Sequence, residues 1–159
     1  MMTYTIQKRI DGRMSTYFKL SEFTRTGTGL PNEPTSAAKT NLLILTQHFL
    51  DPIREAVGGW VRITSGYRSP EVNRAVGGSK TSAHMTGEAA DIKAKDHTAF
   101  ELVALIFGLD LPFDQLIAYA PERGGHVHIG IKAGASGRAR RQVLLAPQSG
   151  GYEPFTVGH

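Results

Sequence analysis

The side chains best suited to metal chemistry fall in two short stretches of this 159-residue chain. The first, residues 82–91, places His84 seven positions before Asp91, and the second contributes His126 and His128 with one valine between them. A catalytic zinc site uses three imidazole or carboxylate ligands at ~2 Å and keeps one position open. His84 and Asp91 can supply two ligands, and the His-x-His stretch can supply the third. Each residue alone has a commoner structural explanation, but together they form one ligand set.

The composition limits the chemistry that is available. There is no cysteine, so disulfides and thiolate metal sites are excluded, and His, Asp and Glu remain as zinc ligands. Hydrophobic residues make up 40% and charged residues 20%, as in ordinary globular proteins. No window reaches the ~18 consecutive apolar residues of a membrane helix, and no secretory signal is visible. We expect one monomeric domain over residues 1–159, made in the cytoplasm, that reaches targets outside the membrane by lysis or another export route.

The formal net charge of +4 favours anionic partners without choosing among them. The densest basic cluster is Arg138, Arg140 and Arg141, which has no interleaved aromatic residues for stacking on bases. A solvated face is the usual explanation of such a cluster. We therefore expect no nucleic-acid partner.

The spacing of apolar residues predicts the elements that position the candidate ligands. Helices are predicted from a cap at Thr35 or Ser36 to Gly58 with a kink at Pro52, over 71–76, and from a cap at Asp96 to Gly108. Strands are predicted over 61–64, 89–93, 115–119 and 126–131. In the last strand His126 and His128 would share one face, with the intervening apolar residues directed to the core. This pattern predicts an α+β domain, with a loose tail after Pro147.

Several motifs occur in a fixed order along the chain. They are Ser65-Gly66-Tyr67-Arg68-Ser69-Pro70, Asn73, Gly77-Gly78, Ser82-x-His84-x-x-Gly87-x-Ala89-x-Asp91 and His126-Val127-His128. From about residue 18 to about residue 145 the chain resembles the M15 family of zinc peptidases, and its phage and prophage branch most of all. That family includes D-alanyl-D-alanine carboxypeptidases and phage endolysins that cut L-alanyl-D-glutamate links.

The resemblance implies a hedgehog/DD-peptidase fold, a small antiparallel sheet flanked by helices, acting on a cell-wall peptide. It implies that His84, Asp91 and His128 bind zinc. Arg68 matches an arginine that faces the substrate, where it can bind a carboxylate or a developing oxyanion; a structural salt bridge is its alternative. Ser82, two residues before the first ligand, would contact substrate or make a loop hydrogen bond.

One position departs from the family pattern. Many members carry a catalytic carboxylate three residues before the last ligand, and that position is Gly125 here. The general base must then come from elsewhere. His126 is one candidate because it shares the face of His128, and Glu122 is another if the glycine-rich loop folds back. The third alternative is that the chain has no competent base.

The chemistry expected is therefore zinc-assisted hydrolysis of an amide bond in peptidoglycan peptides, by a carboxypeptidase or an endolysin-type endopeptidase. A non-catalytic wall-binding or phage structural module that keeps the fold is the alternative, and Gly125 is its main support.

Overall fold

The computed structural model describes residues 3–134 and 138–158, which form helices around a six-stranded sheet. The helices are α1 (Ser21–Thr24), α2 (Ser36–Leu45), α3 (Asp51–Val57), α4 (Pro70–Ala75) and α5 (Ala99–Gly108). The strands are β1 (Val61–Ser65), β2 (Ala89–Ala94), β3 (Gln115–Tyr119), β4 (Val127–Gly130), β5 (Gln142–Ala146) and β6 (Glu153–Pro154). Single 3₁₀ turns occupy Ala83–Thr86 and Pro121–Arg123.

The strand order is β1-β2-β4-β3-β5-β6, and every pair is antiparallel except β3 with β5. The predicted α+β class with a small, mainly antiparallel sheet is therefore confirmed. β5 is parallel to β3 because the chain leaves β4 and returns to the free side of β3 in the same direction. A one-sequence pattern gives no sign of that long-range pairing.

One face of the sheet is apolar and packs against the helices. Ile63, Ile92, Val127 and Ala118 follow one another across four strands on this face, and all are buried. The alternation predicted for the last strand is confirmed, since Val127, Ile129 and Ile131 are all fully or almost fully buried. The opposite face carries Asp91 and His128, with Ile117 beside them.

The predicted long helix is present, but its middle turn is widened. Thr35 caps it by accepting a hydrogen bond from the backbone of Ala38, and it ends at Gly58 as predicted. Residues Thr46–Leu50 form a π turn between α2 and α3. Pro52 has no N–H, and its ring would clash with the carbonyl one turn earlier, so a wider turn accommodates it without ending the helix.

The predicted cap of α5 is wrong. Asp96 lies in a turn with φ 58°, and Thr98 is the cap instead. The Thr98 hydroxyl accepts from the backbone N–H of Glu101, and the Glu101 carboxylate accepts from the backbone N–H of Thr98. This reciprocal arrangement satisfies two backbone donors, which a lone aspartate cap cannot do.

The described part of the tail is tied to the sheet. β6 pairs with β5, and the Tyr152 hydroxyl lies 3.1 Å from the Tyr119 hydroxyl. Arg123 donates to the carbonyl of Gly151 at 2.7 Å. Within residues 3–134 and 138–158, no helix has the length and apolar character needed to cross a membrane.

Candidate metal centre and its cleft

The candidate ligands meet on the polar face of the sheet because of strand register. Asp91 on β2 lies directly opposite His128 on β4, so the two side chains project from the same face. His128 Nδ1 is 3.0 Å from Asp91 Oδ1. The 3₁₀ turn before β2 supplies His84, whose Nε2 is 3.3 Å from the same carboxylate oxygen. Two histidines from separate segments thus converge on one oxygen atom of Asp91.

A backbone carbonyl fixes the orientation of the His84 ring. Its Nδ1 lies 2.7 Å from the carbonyl oxygen of Gly66, an acceptor that requires an N–H at this nitrogen. Nε2, which lies 3.3 Å from Asp91 Oδ1, is the ring nitrogen that faces the other candidate ligands. A carbonyl that orients the outer nitrogen of an imidazole is a common support of metal-ligating histidines.

The geometry of the three side chains fits a small divalent cation. One ligand atom from each of His84, Asp91 and His128 lies within 4.8 Å of the other two. Ligands at ~2 Å around a tetrahedral zinc ion are separated by about 3.3 Å. The two separations from Asp91 Oδ1, 3.3 Å to His84 Nε2 and 3.0 Å to His128 Nδ1, are close to this value. His84, Asp91 and His128 therefore form a group that could hold a metal ion.

The two oxygens of Asp91 have different neighbours. Oδ1 faces His84 and His128, whereas Oδ2 is 3.6 Å from Arg68 Nη2 and 4.0 Å from His126 Nε2. Burial alone would raise the pKa of Asp91, but hydrogen bonds from His128 and His84 outweigh it and hold the pKa far below its ordinary value. The group is an anionic carboxylate at neutral pH, which is the form that binds a metal.

Arg68 lies at the edge of this centre, held by several contacts. Its Nε donates to Ser65 Oγ at 3.2 Å, and its Nη1 lies 3.5 Å from Asn73 Oδ1. Gly78 makes this packing possible, because a Cβ at that position would lie 2.0 Å from Asn73 Oδ1 and 3.1 Å from Arg68 Nη1. The side chain is 19% exposed and lines the cleft described below.

His126 stands beside the centre, immediately before β4. Its ring stacks on Tyr119 with 4.3 Å between centroids and 20° between planes. Burial lowers the pKa of His126, with smaller contributions from neighbouring positive groups, while Asp91 opposes the shift. Burial likewise raises the pKa of Tyr119, helped by its hydrogen bond with Tyr152. The imidazole is thus mainly neutral at pH 7.

Glu122 and Ser82 have different positions. Glu122 is exposed on the Pro121–Arg123 turn, outside the group of candidate ligands. The two residues that follow the turn have positive φ, and Gly125 at 67° occupies the family's carboxylate position in a conformation that favours glycine. Ser82 lines the cleft, and its hydroxyl accepts from the backbone N–H of His84 at 3.2 Å.

The centre lies in a cleft of about 600 Å³ whose walls are mainly polar. Beyond the metal candidates the walls include Asp114, Gln115, Lys132 and Arg140. The prediction that the basic cluster Arg138, Arg140 and Arg141 is a solvated face is only partly right. Arg140 makes two side-chain hydrogen bonds to Asp114, at 3.1 and 2.8 Å. Arg141 pairs with Asp110 and also packs on Phe107 and Phe113.

Several groups that build the site could not be predicted from the sequence. The carbonyl of Gly66 carries no side-chain signal, since every residue has one. Lys132 and Tyr152 enter the cleft only through the fold. Ser65 is part of the motif around Arg68, and its hydroxyl accepts from that guanidinium at the point where the register of β1 shifts.

A His-Asp-His cluster in a polar cleft is a ligand set of the kind that catalytic metal sites use. A family model described as Peptidase M15 matches residues 16–130 of the chain. The chain belongs to the peptidase M15 family, so its implied substrate is a peptide. The comparison with curated proteins found no match. The matched range contains every candidate ligand and ends at the last residue of β4, so β5 and β6 lie outside it.

Proposed function

We propose that this protein is a zinc peptidase that hydrolyses an amide bond in peptidoglycan peptides. The convergence of His84, Asp91 and His128 within 4.8 Å in a chain of the M15 family is the observation that carries the proposal. The cleft has room for several residues of an extended peptide. Because the substrate is a wall component, the protein would reach it on lysis or by another export route.

His84, Asp91 and His128 would hold the zinc ion. When bound, zinc acts as a Lewis acid that polarises a carbonyl group and lowers the pKa of water. Gly66 would keep His84 in the ligating tautomer, and the pairing of Asp91 with His128 across the strands would keep these two side chains aligned. Little reorganisation would then be needed for metal binding.

Arg68 would bind a carboxylate of the peptide or the oxyanion that develops at the cleaved carbonyl. Its guanidinium is fixed by Ser65 and by Asn73, so a donor directed into the cleft would cost little side-chain entropy on binding. Ser82 would be a second polar contact, although its hydroxyl oxygen already accepts from His84. It can still donate its own proton.

His126 would act as the general base, taking a proton from the attacking water and returning it to the leaving amine. Its position 4.0 Å from Asp91 Oδ2, beside the ligands without being one of the three, supports this role. The exposed Glu122 would need its turn to fold over the cleft to serve instead. Gly125 leaves no carboxylate at the family's usual position.

A wall-binding or phage structural module without activity is the second candidate, supported by that glycine. The two functions separate in one assay. Purified wall peptides would be incubated with the zinc-supplemented protein, and newly released amino groups would be identified by mass spectrometry. We expect release by the wild type and none above background by His84→Ala. The control His97→Ala should release amines like the wild type, because His97 follows the turn at residues 95–96 and is not one of the candidate ligands. A zinc-loaded wild type that binds the wall and releases no amines would overturn the enzyme proposal.

A further inference from the structure

The polar face of β4 continues past the metal candidates into a second part of the cleft. His128, Gly130 and Lys132 all line the cleft, whereas the residues between and after them, Ile129, Ile131 and Ala133, are buried. The alternation of a strand therefore extends beyond the last residue of β4. Two residues along a strand advance about 7 Å, so Lys132 lies roughly 13 Å of backbone from His128.

Gly130 leaves the floor between these two positions open. A Cβ there would lie 3.4 Å from His128 Nε2 and 3.8 Å from Gln115 Cβ, so any longer side chain would enter the path along the floor. Gln115 lies opposite Gly130 on β3, and its amide donates to Gln142 on β5 at 2.8 Å. This polar wall is suited to hydrogen bonds with an extended peptide backbone.

The far end of the cleft is cationic. The Arg140 guanidinium is fixed on the buried Asp114 through Nε and Nη2, and its remaining N–H donors make no hydrogen bond within residues 3–134 and 138–158. Lys132 makes no ion pair in the part of the chain that the structure describes, and it acts on Asp114 only at longer range. Two cations and one carboxylate leave a net charge of +1 at this end.

We propose that Lys132, with Arg140 fixed by Asp114, forms a subsite for a second carboxylate of the substrate peptide. This inference rests on the proposed function, and it adds a specificity determinant about three to four residues from the cleaved bond, at about 3.3 Å per extended residue. The residues that build it lie on both sides of the boundary of the family match, since Lys132 and Arg140 follow residue 130 and Asp114 precedes it. A peptide with an acidic group at this distance would be preferred over the same peptide with a carboxamide.

The test uses synthetic peptides in which a Glu or Gln residue is moved one position at a time away from the cleaved bond. The ratio of kcat/KM for each Glu and Gln pair isolates the charge, because the two side chains have nearly the same shape. At the matching position we expect the wild type to prefer Glu by about tenfold, the scale of a charge-assisted hydrogen bond at a partly exposed site. Lys132→Met should lower the ratio to the smaller preference that Arg140 alone supplies, and Lys132→Arg should keep most of it.

Lys19→Met is the matched control, since Lys19 is exposed and lies outside the cleft. Its ratio should equal that of the wild type. Dissociation constants of the same peptide pairs, measured by calorimetry, separate the two proposals. A wild type that binds the Glu peptide more tightly but cuts neither peptide supports the subsite and overturns hydrolysis. A wild type that treats both members of every pair alike, or a Lys132→Met variant that keeps the wild-type preference, overturns the subsite.

Discussion

Asp91 is the residue on which the site depends, because each of its oxygens has a separate set of neighbours. Oδ1 faces the two candidate histidine ligands, and Oδ2 faces Arg68 and His126. A metal ion on the first oxygen would leave the second free to orient Arg68. Zinc content and turnover are therefore measured on the same variant, so that loss of a ligand is distinguished from loss of Arg68 or His126.

Arg68→Ala should lower turnover while leaving the zinc content unchanged. Arg68 is 3.6 Å from Asp91 Oδ2 and is not one of the three candidate ligands. Loss of a preorganised donor to a developing oxyanion costs about 10²–10³ in kcat. Turnover of wall peptides and zinc per chain would be measured on the same preparations. Arg74→Ala, an exposed arginine on α4, is the control and should behave like the wild type. Unchanged turnover in Arg68→Ala would restrict this residue to a structural salt bridge.

His126→Ala should retain zinc and lower turnover by about 10² or more, the scale of lost acid–base catalysis. Glu122→Gln should cost little, because Glu122 is exposed on its turn. Both variants would be assayed on one wall substrate, with zinc quantified in each. Loss of zinc with His126 would make it a ligand. Activity that is kept without His126 and lost without Glu122 would assign the base to the loop carboxylate.

At the scale of elements, strand pairing positions most of the site. The pairing of β2 with β4 sets Asp91 opposite His128, and Gln115 and Gln142 meet through the parallel pairing of β3 with β5. Asp114, just before β3, accepts from the backbone and the side chain of Arg140, just before β5. This contact links the start of β5 to the start of β3.

Asp114→Asn should destabilise the fold at neutral pH and progressively less in acid. Burial alone would raise the pKa of Asp114, but hydrogen bonds from Arg140 outweigh it and bring the pKa below its ordinary value. Because the carboxyl pKa is lower in the folded state, ionised Asp114 stabilises the folded protein at pH values above the unfolded-state pKa of about 3.9. This stabilisation is lost as the pH falls through the folded-state pKa. With Arg140 half exposed, we expect about 1 kcal/mol at pH 7.

Thermal unfolding of both proteins at pH 7, 5 and 3 measures this effect. The difference in Tm should be largest at pH 7 and should shrink at pH 3. Asp110→Asn is the matched control, because its side chain is 93% exposed and pairs with the neighbouring Arg141. It should have little effect at any pH. A difference in Tm between Asp114→Asn and the wild type that stays constant with pH would mean that packing, and not charge, stabilises this contact.

The sequence predicts those elements whose signals are local. The cap at Thr35, the end of the helix at Gly58 and the alternation around His128 depend on neighbouring residues, and all agree with the structure. The cap of α5 was mispredicted because two polar residues compete there, and only Thr98 has a glutamate three positions later. The three-residue spacing was a usable signal.

Features that depend on distant parts of the chain could not be predicted in this way. β5 pairs with β3, and the chain between their paired residues includes all of β4 and the loops on either side of it. This pairing therefore has no local signal in the sequence. The relative positions of His126 and Glu122 depend on two consecutive glycines with positive φ, whose combined turn cannot be deduced from residue types. The ligand set is different, because its spacing and the resemblance together named all three residues that the structure brings within 4.8 Å.

At the scale of the whole molecule, the three candidate ligands come from three different segments of the chain, which a bound metal ion would link. His84 lies in a loop-like turn, Asp91 on β2 and His128 on β4, while the apolar face of the sheet packs on the helices behind them. A bound ion would therefore stabilise the folded state as a whole, because the unfolded chain does not present the three ligands together.

Removal of the metal with EDTA should then lower the melting temperature of the wild type. At a free metal concentration about 100 times the dissociation constant, ligand binding adds about 2.7 kcal/mol. For a chain of this size that corresponds to roughly 5–10 °C in Tm. Calorimetry with and without EDTA, followed by re-addition of zinc, measures the shift and its reversal. His84→Ala, which lacks one ligand, should melt at nearly the same temperature in all three conditions. A wild type whose Tm does not respond to EDTA or zinc would contradict the assignment of His84, Asp91 and His128 as a metal site, whatever its activity.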